Sequence, residues 1–456
     1  MEGSGYLRIV SQFKRHTNGK WYLEVDGKPY LYNAIQSWYP PDRDFRTYIQ
    51  KAAELEYDVF SLWVYWRELE PCQGKYDFAV IDELIRYAEE FHIRLDLIWG
   101  GTNFCDHMDP RFTPDWVYNR TDWLIKDIGG NPLAVNGFDM GPCKGADPTK
   151  EELFQAEQNI LFRLYRYLEQ HDKTHRIILL QLENEINING YYAPKESVLA
   201  YIDRMAGELK TLSYRIAVRV NIAMWKFDRM DPDIDRLKNI DAQGIDTYNP
   251  HVSYTRRMLT DGNATRFRYV AENGAYFNSA SHIVAALCSG AFYNIYRLDY
   301  DQVWDRPRAY GANWELLPVT LTLKKLNHSL NQLKTMIALA SPEDMAEFNT
   351  SDGMPDLYYH GTAHLSGHSI SFAPRNSNAV GLAVQDNGFV YLLGDGDAVY
   401  YFEHQPMQCE QGYQDENGEW RCISTCLPYE ENTGCGYITA PAIIISAWPR
   451  AACLNL

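Results

Sequence analysis

Ile177-Ile178-Leu179-Leu180-Gln181-Leu182-Glu183-Asn184-Glu185 is an apolar run that ends in acids and amides. A short continuous apolar segment of this kind reads as a strand buried on both faces, the form strands take in a parallel sheet. In a parallel barrel the polar residues belong at the carboxyl end of such a strand, which is the face that carries chemistry. Eighty-seven residues on (272 − 185), Phe267-Arg268-Tyr269-Val270-Ala271 ends in the same way, in Glu272-Asn273-Gly274. The two strand-end glutamates form a candidate catalytic pair.

Outward from these runs, short apolar segments alternate with stretches of helical periodicity, the mark of repeated βα units. Eight strands are predicted, near Leu31 to Gln36, Val59 to Trp66, Arg94 to Trp99, Ile177 to Gln181, Ile216 to Asn221, Gly244 to Tyr248, Phe267 to Ala271 and Ala291 to Tyr296. Helices fit at Phe45 to Glu56, Ile81 to Phe91 and Lys150 to Gln170, and a closing helix at Val319 to Ile337. The expected architecture is a (β/α)8 TIM barrel over residues 1–340, with a short N-terminal lead. From about Ser341 the pattern changes to alternating strands with turns at Asp386-Asn387-Gly388 and Glu416-Asn417-Gly418, so residues 341–456 read as a C-terminal all-β accessory domain.

At 456 residues the chain exceeds the ~250 of a bare barrel and has room for both parts. A formal net charge of −17 argues against a nucleic acid partner, because phosphate binding needs clustered Lys and Arg. No stretch reaches the ~20 apolar residues of a membrane span, so the chain reads as soluble. The start, Met1-Glu2-Gly3-Ser4-Gly5, lacks the pattern of a signal peptide, as a processed chain also would. Five of nine cysteines, Cys409, Cys422, Cys426, Cys435 and Cys453, fall near the C-terminus. Disulfides among Cys409, Cys422, Cys426 and Cys435 would place the protein in a secreted or periplasmic compartment. The compartment is otherwise open, as is assembly into a homo-oligomer.

Asn184-Glu185 resembles the Asn-Glu signature of clan A glycoside hydrolases, and Gln181-Leu182-Glu183-Asn184-Glu185 the form found in family 35 β-galactosidases. The segment Val59-Phe60-Ser61-Leu62-Trp63-Val64-Tyr65-Trp66, with Glu70-Pro71, Gly74 and Tyr76-Asp77-Phe78, is similar to the second barrel strand and following loop of families 35 and 42. The resemblance covers roughly residues 20 to 335. It implies a retaining exo-β-glycosidase, β-galactosidase-like, that acts on terminal β-linked sugars by double displacement. Glu185 would be the general acid/base and Glu272 the nucleophile, with the two carboxyls about 5–5.5 Å apart. Another β-glycosidase, an endo-glycanase of the clan and a non-catalytic sugar-binding barrel stay open as alternatives. One departure bears on the sugar: where family 35 has a Gly-Pro-Tyr-Ile-Cys-Ala-Glu type of loop after the third strand, this chain has Gly100-Gly101-Thr102-Asn103-Phe104-Cys105.

The resemblance gives further residues a place. Asn184 suits a hydrogen bond to the sugar hydroxyl next to the reacting carbon, and Tyr248 a phenol bond to the nucleophile. Glu183, two residues before Glu185, shares its side of the strand if the alternation holds to the end. Trp38, Tyr39 and Trp99 stand at strand ends where they could face the sugar. Trp304 and Trp314, beyond the eighth strand, compete for the role of platform under the ring. The connection from Gly100 to Lys150 is far longer than the usual ~2–6 residues, and it holds Asn103, His107, Trp116, Tyr118 and Trp123. It reads either as a wall of the sugar cleft or as an excursion packed on its own aromatics. The partner is a carbohydrate, an oligosaccharide or glycoside. No cofactor is called for, and the cluster Cys105-Asp106-His107-Met108-Asp109 has no spacing that matches a closed metal site.

Overall fold

The computed structural model describes residues 7–40, 43–102, 104, 111–137, 141–187, 193–223, 233–260, 266–299, 307–350, 361–365, 368–374, 379–395, 398–402, 408–425, 442–444 and 451–455. Asn103, Trp304 and the Cys105 to Asp109 cluster lie outside them.

Eight parallel strands close into a barrel: β1 (Asn33–Gln36), β2 (Val59–Tyr65), β3 (Arg94–Gly100), β4 (Ile177–Leu182), β5 (Ala217–Ala223), β6 (Ala242–Asp246), β7 (Phe267–Glu272) and β8 (Tyr293–Tyr296). All eight overlap the strands read from the sequence. Each neighbours the next in chain order, and β8 returns to β1 through Tyr293↔Asn33 to Tyr296↔Gln36. Side chains on both faces of these strands are buried, which is why their sequences run apolar rather than alternating.

Helices α1 (Phe45–Glu54), α2 (Ala79–Glu90), α3 (Glu151–His171), α4 (Lys195–Leu209), α5 (Val252–Thr260), α6 (Ser279–Cys288), α7 (Pro318–Leu330) and α8 (Lys334–Leu339) surround the barrel. Helix α3 buries Leu153, Glu157, Ile160, Leu161, Leu164 and Leu168, a three- and four-residue spacing that makes one continuous face. Among the described residues the alternation of strand and helix lapses once. Between β5 and β6 the described residues hold only a 3-10 turn, Ile234–Arg236. The expected closing helix is two helices, α7 and α8. The backbone leaves α7 at Asn331, whose side-chain Nδ2 donates to the Glu56 carbonyl at 3.0 Å.

A three-stranded antiparallel sheet, Ser11–Arg15, Trp21–Val25 and Lys28–Tyr30, covers the end of the barrel where the strands begin. Phe13 stacks on Phe267, the first residue of β7, at 4.8 Å, and the Ser11 hydroxyl accepts from the Ala217 amide at 2.8 Å. The amino end is thereby sealed, leaving the carboxyl ends of the strands for a site.

After Pro342–Asp344 the chain forms a six-stranded and a four-stranded antiparallel sheet. Along Val380–Asp386 and Phe389–Gly394 the side chains alternate between two cores. Leu382, Val384, Tyr391 and Leu393 pack on the barrel side. Ala383, Val390 and Leu392 join Phe348, Ile370, Phe372 and Tyr400 between the two sheets. These two strands are thus buried on both faces, and Arg256 of α5 pairs with Glu347 at 2.5 Å where the six-stranded sheet meets the barrel. The cysteine cross-links expected here are corrected at one position: Cys422 is a free, exposed thiol on the outer strand Trp420–Thr425. Cys426 and Cys435 lie outside the described residues. Among the described residues no helix is long and apolar enough to cross a membrane.

Candidate functional site

A polar layer crosses the barrel, with a residue from every strand. Gln36, Ser61, Asp96, Gln181, Arg219, Asn221, Asp246, Glu272 and Asn294 are all buried. Deepest is a fully enclosed ion pair. Arg219 Nε lies 3.1 and 2.8 Å from the two oxygens of Asp96, which also accepts from Tyr32 OH at 2.7 Å. Polar residues therefore reach further down the barrel than a sealed apolar stem would predict. They persist because each is paired or hydrogen-bonded, the condition for burying charge.

Above this pair stands Glu272, the last residue of β7. Gln36 Nε2 donates to its Oε1 at 2.6 Å, and Tyr248 OH donates to its Oε2. Asn294 Nδ2 occupies Gln36 Oε1 at 3.0 Å, so the Gln36 amide presents its donor end to Glu272. Strands β1 and β8, together with the turn after β6, therefore hold one carboxylate from three directions. Tyr248 has a left-handed backbone, φ 41°. That conformation is uncommon outside glycine and is maintained only where surroundings over-determine it.

At the end of β4 the backbone turns left-handed twice, at Glu183 (φ 57°) and Glu185 (φ 45°). The strand alternation breaks there, and the three polar residues part company. The Glu183 carboxyl accepts from Thr102 N at 2.8 Å, Thr102 Oγ1 at 3.1 Å and Phe104 N at 3.1 Å, beneath the loop that follows β3. It does not share the place of Glu185. Asn184 and Glu185 instead meet Asn221 of β5, whose Nδ2 donates to Asn184 Oδ1 at 2.8 Å and whose Oδ1 accepts from the Glu185 amide at 2.8 Å. The same Asn221 Nδ2 donates to Asp246 Oδ2 at 2.7 Å. Burial, then the negative charges of Glu272 and Glu185, push the Asp246 carboxyl well above the carboxylate range. Asp246 thus senses both glutamates, and Glu185, Asn184, Tyr248 and Glu272 converge on one end of the barrel.

The aromatic expectations divide. Trp38 packs on Trp63 at 4.7 Å, and Tyr39 stacks on Tyr65 at 4.6 Å, its hydroxyl bonded to Glu68. With Phe112 they form a cluster above β2. Trp99 is a correction: it faces out of the barrel, 1 % exposed, and donates to Glu157 of α3 at 2.7 Å. It cannot face a ligand in the barrel mouth. Trp314 rests edge-on against Tyr48 at 4.9 Å and Tyr310 at 5.5 Å, as packing for the chain after β8. In the long connection Trp116 lies between Trp66 and Trp123, so these rings pack on one another.

Four residues of the site have no counterpart among the sequence expectations: Gln36, Asn221, Asp246 and Tyr296, the last set edge-on to Tyr248 at 5.9 Å. For the first three the available signal is a polar residue interrupting an apolar strand. Among the described residues no group of three or more His, Cys, Asp or Glu is arranged to hold a metal ion.

No family model matches the chain. Over 177 residues it is 27% identical to a β-galactosidase of Xanthomonas manihotis, a match that covers 38% of this chain and 26% of that protein. The chain thus spans about a quarter of the length of the curated relative it matches. Together with the eight-stranded parallel barrel, this likeness makes the chain glycoside-hydrolase-like.

Proposed function

We propose that the chain is a retaining exo-β-glycosidase, β-galactosidase-like, with residues 1–340 as its catalytic (β/α)8 unit and 341–456 as an accessory β-domain. The observation that carries this reading is the grip on Glu272, donors on both oxygens, beside an Asp246 that feels Glu272 and Glu185 together. Glu272 attacks the anomeric carbon and forms a glycosyl ester. The glycosidic bond breaks with its electrons on the leaving oxygen, which takes the proton of Glu185. Water then gives a proton to Glu185, attacks the same carbon and releases Glu272, so configuration is retained. Asn184 binds the hydroxyl adjacent to the reacting carbon, where hydrogen bonds strengthen as charge develops.

A panel of p-nitrophenyl β-glycosides tests the activity, with the galactoside expected to be cleaved. Glu272→Gly should abolish turnover, and added azide should then yield a glycosyl azide of inverted configuration. Glu185→Ala should keep turnover only for substrates with excellent leaving groups. The opposite pattern would exchange the two roles, and a wild-type protein that cleaves none of the panel would refute the function.

A further inference from the structure

We propose that Asp246 is a positioning residue that acts through Asn221 to fix which end of the Asn184 amide meets the sugar, an inference that rests on the glycosidase reading above. The amide of Asn221 is saturated. Its Oδ1 accepts from Glu185 N at 2.8 Å and Gln181 Nε2 at 3.0 Å, and its Nδ2 donates to Asn184 Oδ1 at 2.8 Å and Asp246 Oδ2 at 2.7 Å. The Glu185 amide can only donate, so Asn221 must present oxygen to it and nitrogen to the other side. Asp246 is the group on that other side that accepts the second N–H, and it is completely buried.

Asn184 inherits this order. Its Oδ1 is occupied by Asn221 Nδ2, and Gln181 Nε2 adds a second contact at 3.3 Å. Nδ2, a donor, is the end that the described residues leave unused. A sugar hydroxyl that gives its own proton to the nucleophile's carboxylate keeps an oxygen that requires such a donor. If Asp246 is removed, one N–H of Asn221 loses its acceptor, and only the Glu185 and Gln181 donors then hold the Asn221 amide, and through it Asn184, against reversal. Arg219 lies near enough to oppose the upward push on the Asp246 carboxyl but does not outweigh burial and the two glutamates.

The test compares kcat/KM for the p-nitrophenyl β-glycoside that the wild type cleaves best with that for its 2-deoxy counterpart. Asp246→Ala should lower turnover of the hydroxylated substrate about ten- to a hundredfold, with the 2-deoxy substrate falling less than about threefold. KM should change little. Asp246→Asn should restore the wild-type ratio, because its amide oxygen still accepts from Asn221. Asn221→Asp is isosteric and serves if the alanine variant does not fold: with no N–H for Asn184 Oδ1, it should reproduce the loss specific to the hydroxyl. Equal losses on both substrates, or an Asp246→Asn variant as impaired as Asp246→Ala, would overturn the positioning role while leaving the glycosidase reading intact. A wild type with no glycosidase turnover would overturn both.

Discussion

Replacing Glu157 by Gln should make the protein more stable at pH 8 and leave it nearly unchanged near pH 4.5. Glu157 of α3 and Glu183 after β4 are buried beneath the loop that follows β3. Glu157 accepts from Trp99 Nε1 at 2.7 Å and Tyr201 OH at 2.5 Å. The loop passes so close that a Cβ on Gly101 would lie 1.9 Å from Glu157 Oε1. Burial first pushes Glu157 up from 4.5 to about 7. Burial and then the charge of Glu157 push Glu183 up from 4.5 to about 8. Both carboxyls are protonated in the folded state at pH values where the unfolded chain has released those protons. Their contribution is therefore complete below pH 4.5 and is lost as pH rises through about 7 and 8. At about 1.4 kcal/mol per pH unit, Glu157 alone accounts for about 3 kcal/mol across that window. The substituted glutamine has no proton to lose, its oxygen can keep the Trp99 bond, and its Nε2 can donate to the Tyr201 hydroxyl oxygen. With an unfolding entropy near 2.1 cal/mol/K per residue, that gain raises Tm by about 3 °C at pH 8. Thermal melts of both proteins at pH 4.5, 6, 7 and 8 read the effect as a widening gap. A variant whose Tm is lowered by the same amount at every pH would refute the reasoning, since hydrogen bonding rather than protonation would then set the balance.

Three further outcomes follow from individual contacts. Tyr248→Phe removes one donor from Glu272 and should lower kcat about ten- to a hundredfold on the best β-glycoside, with the folded structure unchanged by circular dichroism. Arg219→Met leaves Asp96 buried without its cation and should cost about 3–5 kcal/mol in denaturant melts; adding Asp96→Asn should recover part of that loss. Cys422 should react with a thiol reagent in the folded protein, and a disulfide-linked peptide containing it in a non-reducing digest would contradict its free state.

All eight barrel strands are legible in the sequence because burial on both faces leaves short, mainly apolar runs, unbroken in Ile177 to Leu180 and interrupted by single polar residues in Ala217 to Ala223. The end of β4 is less so. No residue between Gln181 and Glu185 is a glycine, yet Glu183 and Glu185 adopt positive φ, so alternation counted along the sequence gives Glu183 the wrong neighbours. Trp99 departs from expectation for a different reason. In β3 the inward positions are those of Asp96 and Ile98, which meet Arg219 and the Trp63 cluster respectively. Trp99 then has the outward parity of Leu95 and Leu97, and a tryptophan at a strand end faces the mouth only when its parity is inward.

That parity argument extends to the whole polar layer. A polar residue inside a strand buried on both faces finds its partners on other strands of the ring, adjacent ones for Ser61 and Asn221 and more distant ones for Gln36 and Arg219. Ser61, Asp96, Gln181, Arg219 and Asn221 each keep two-residue spacing with another inward position, so the face they occupy is readable from sequence. Their partners are not: Gln36 and Glu272 lie 236 residues apart, and Arg219 and Asp96 lie 123 apart. Only closure of the ring brings β1 beside β8 and thereby sets Asn294 behind Gln36, and Gln36 behind Glu272. The orientation of the candidate nucleophile is thus a property of the closed barrel, and a substitution that disturbs closure at β8 should reach Glu272 through Gln36 without touching it.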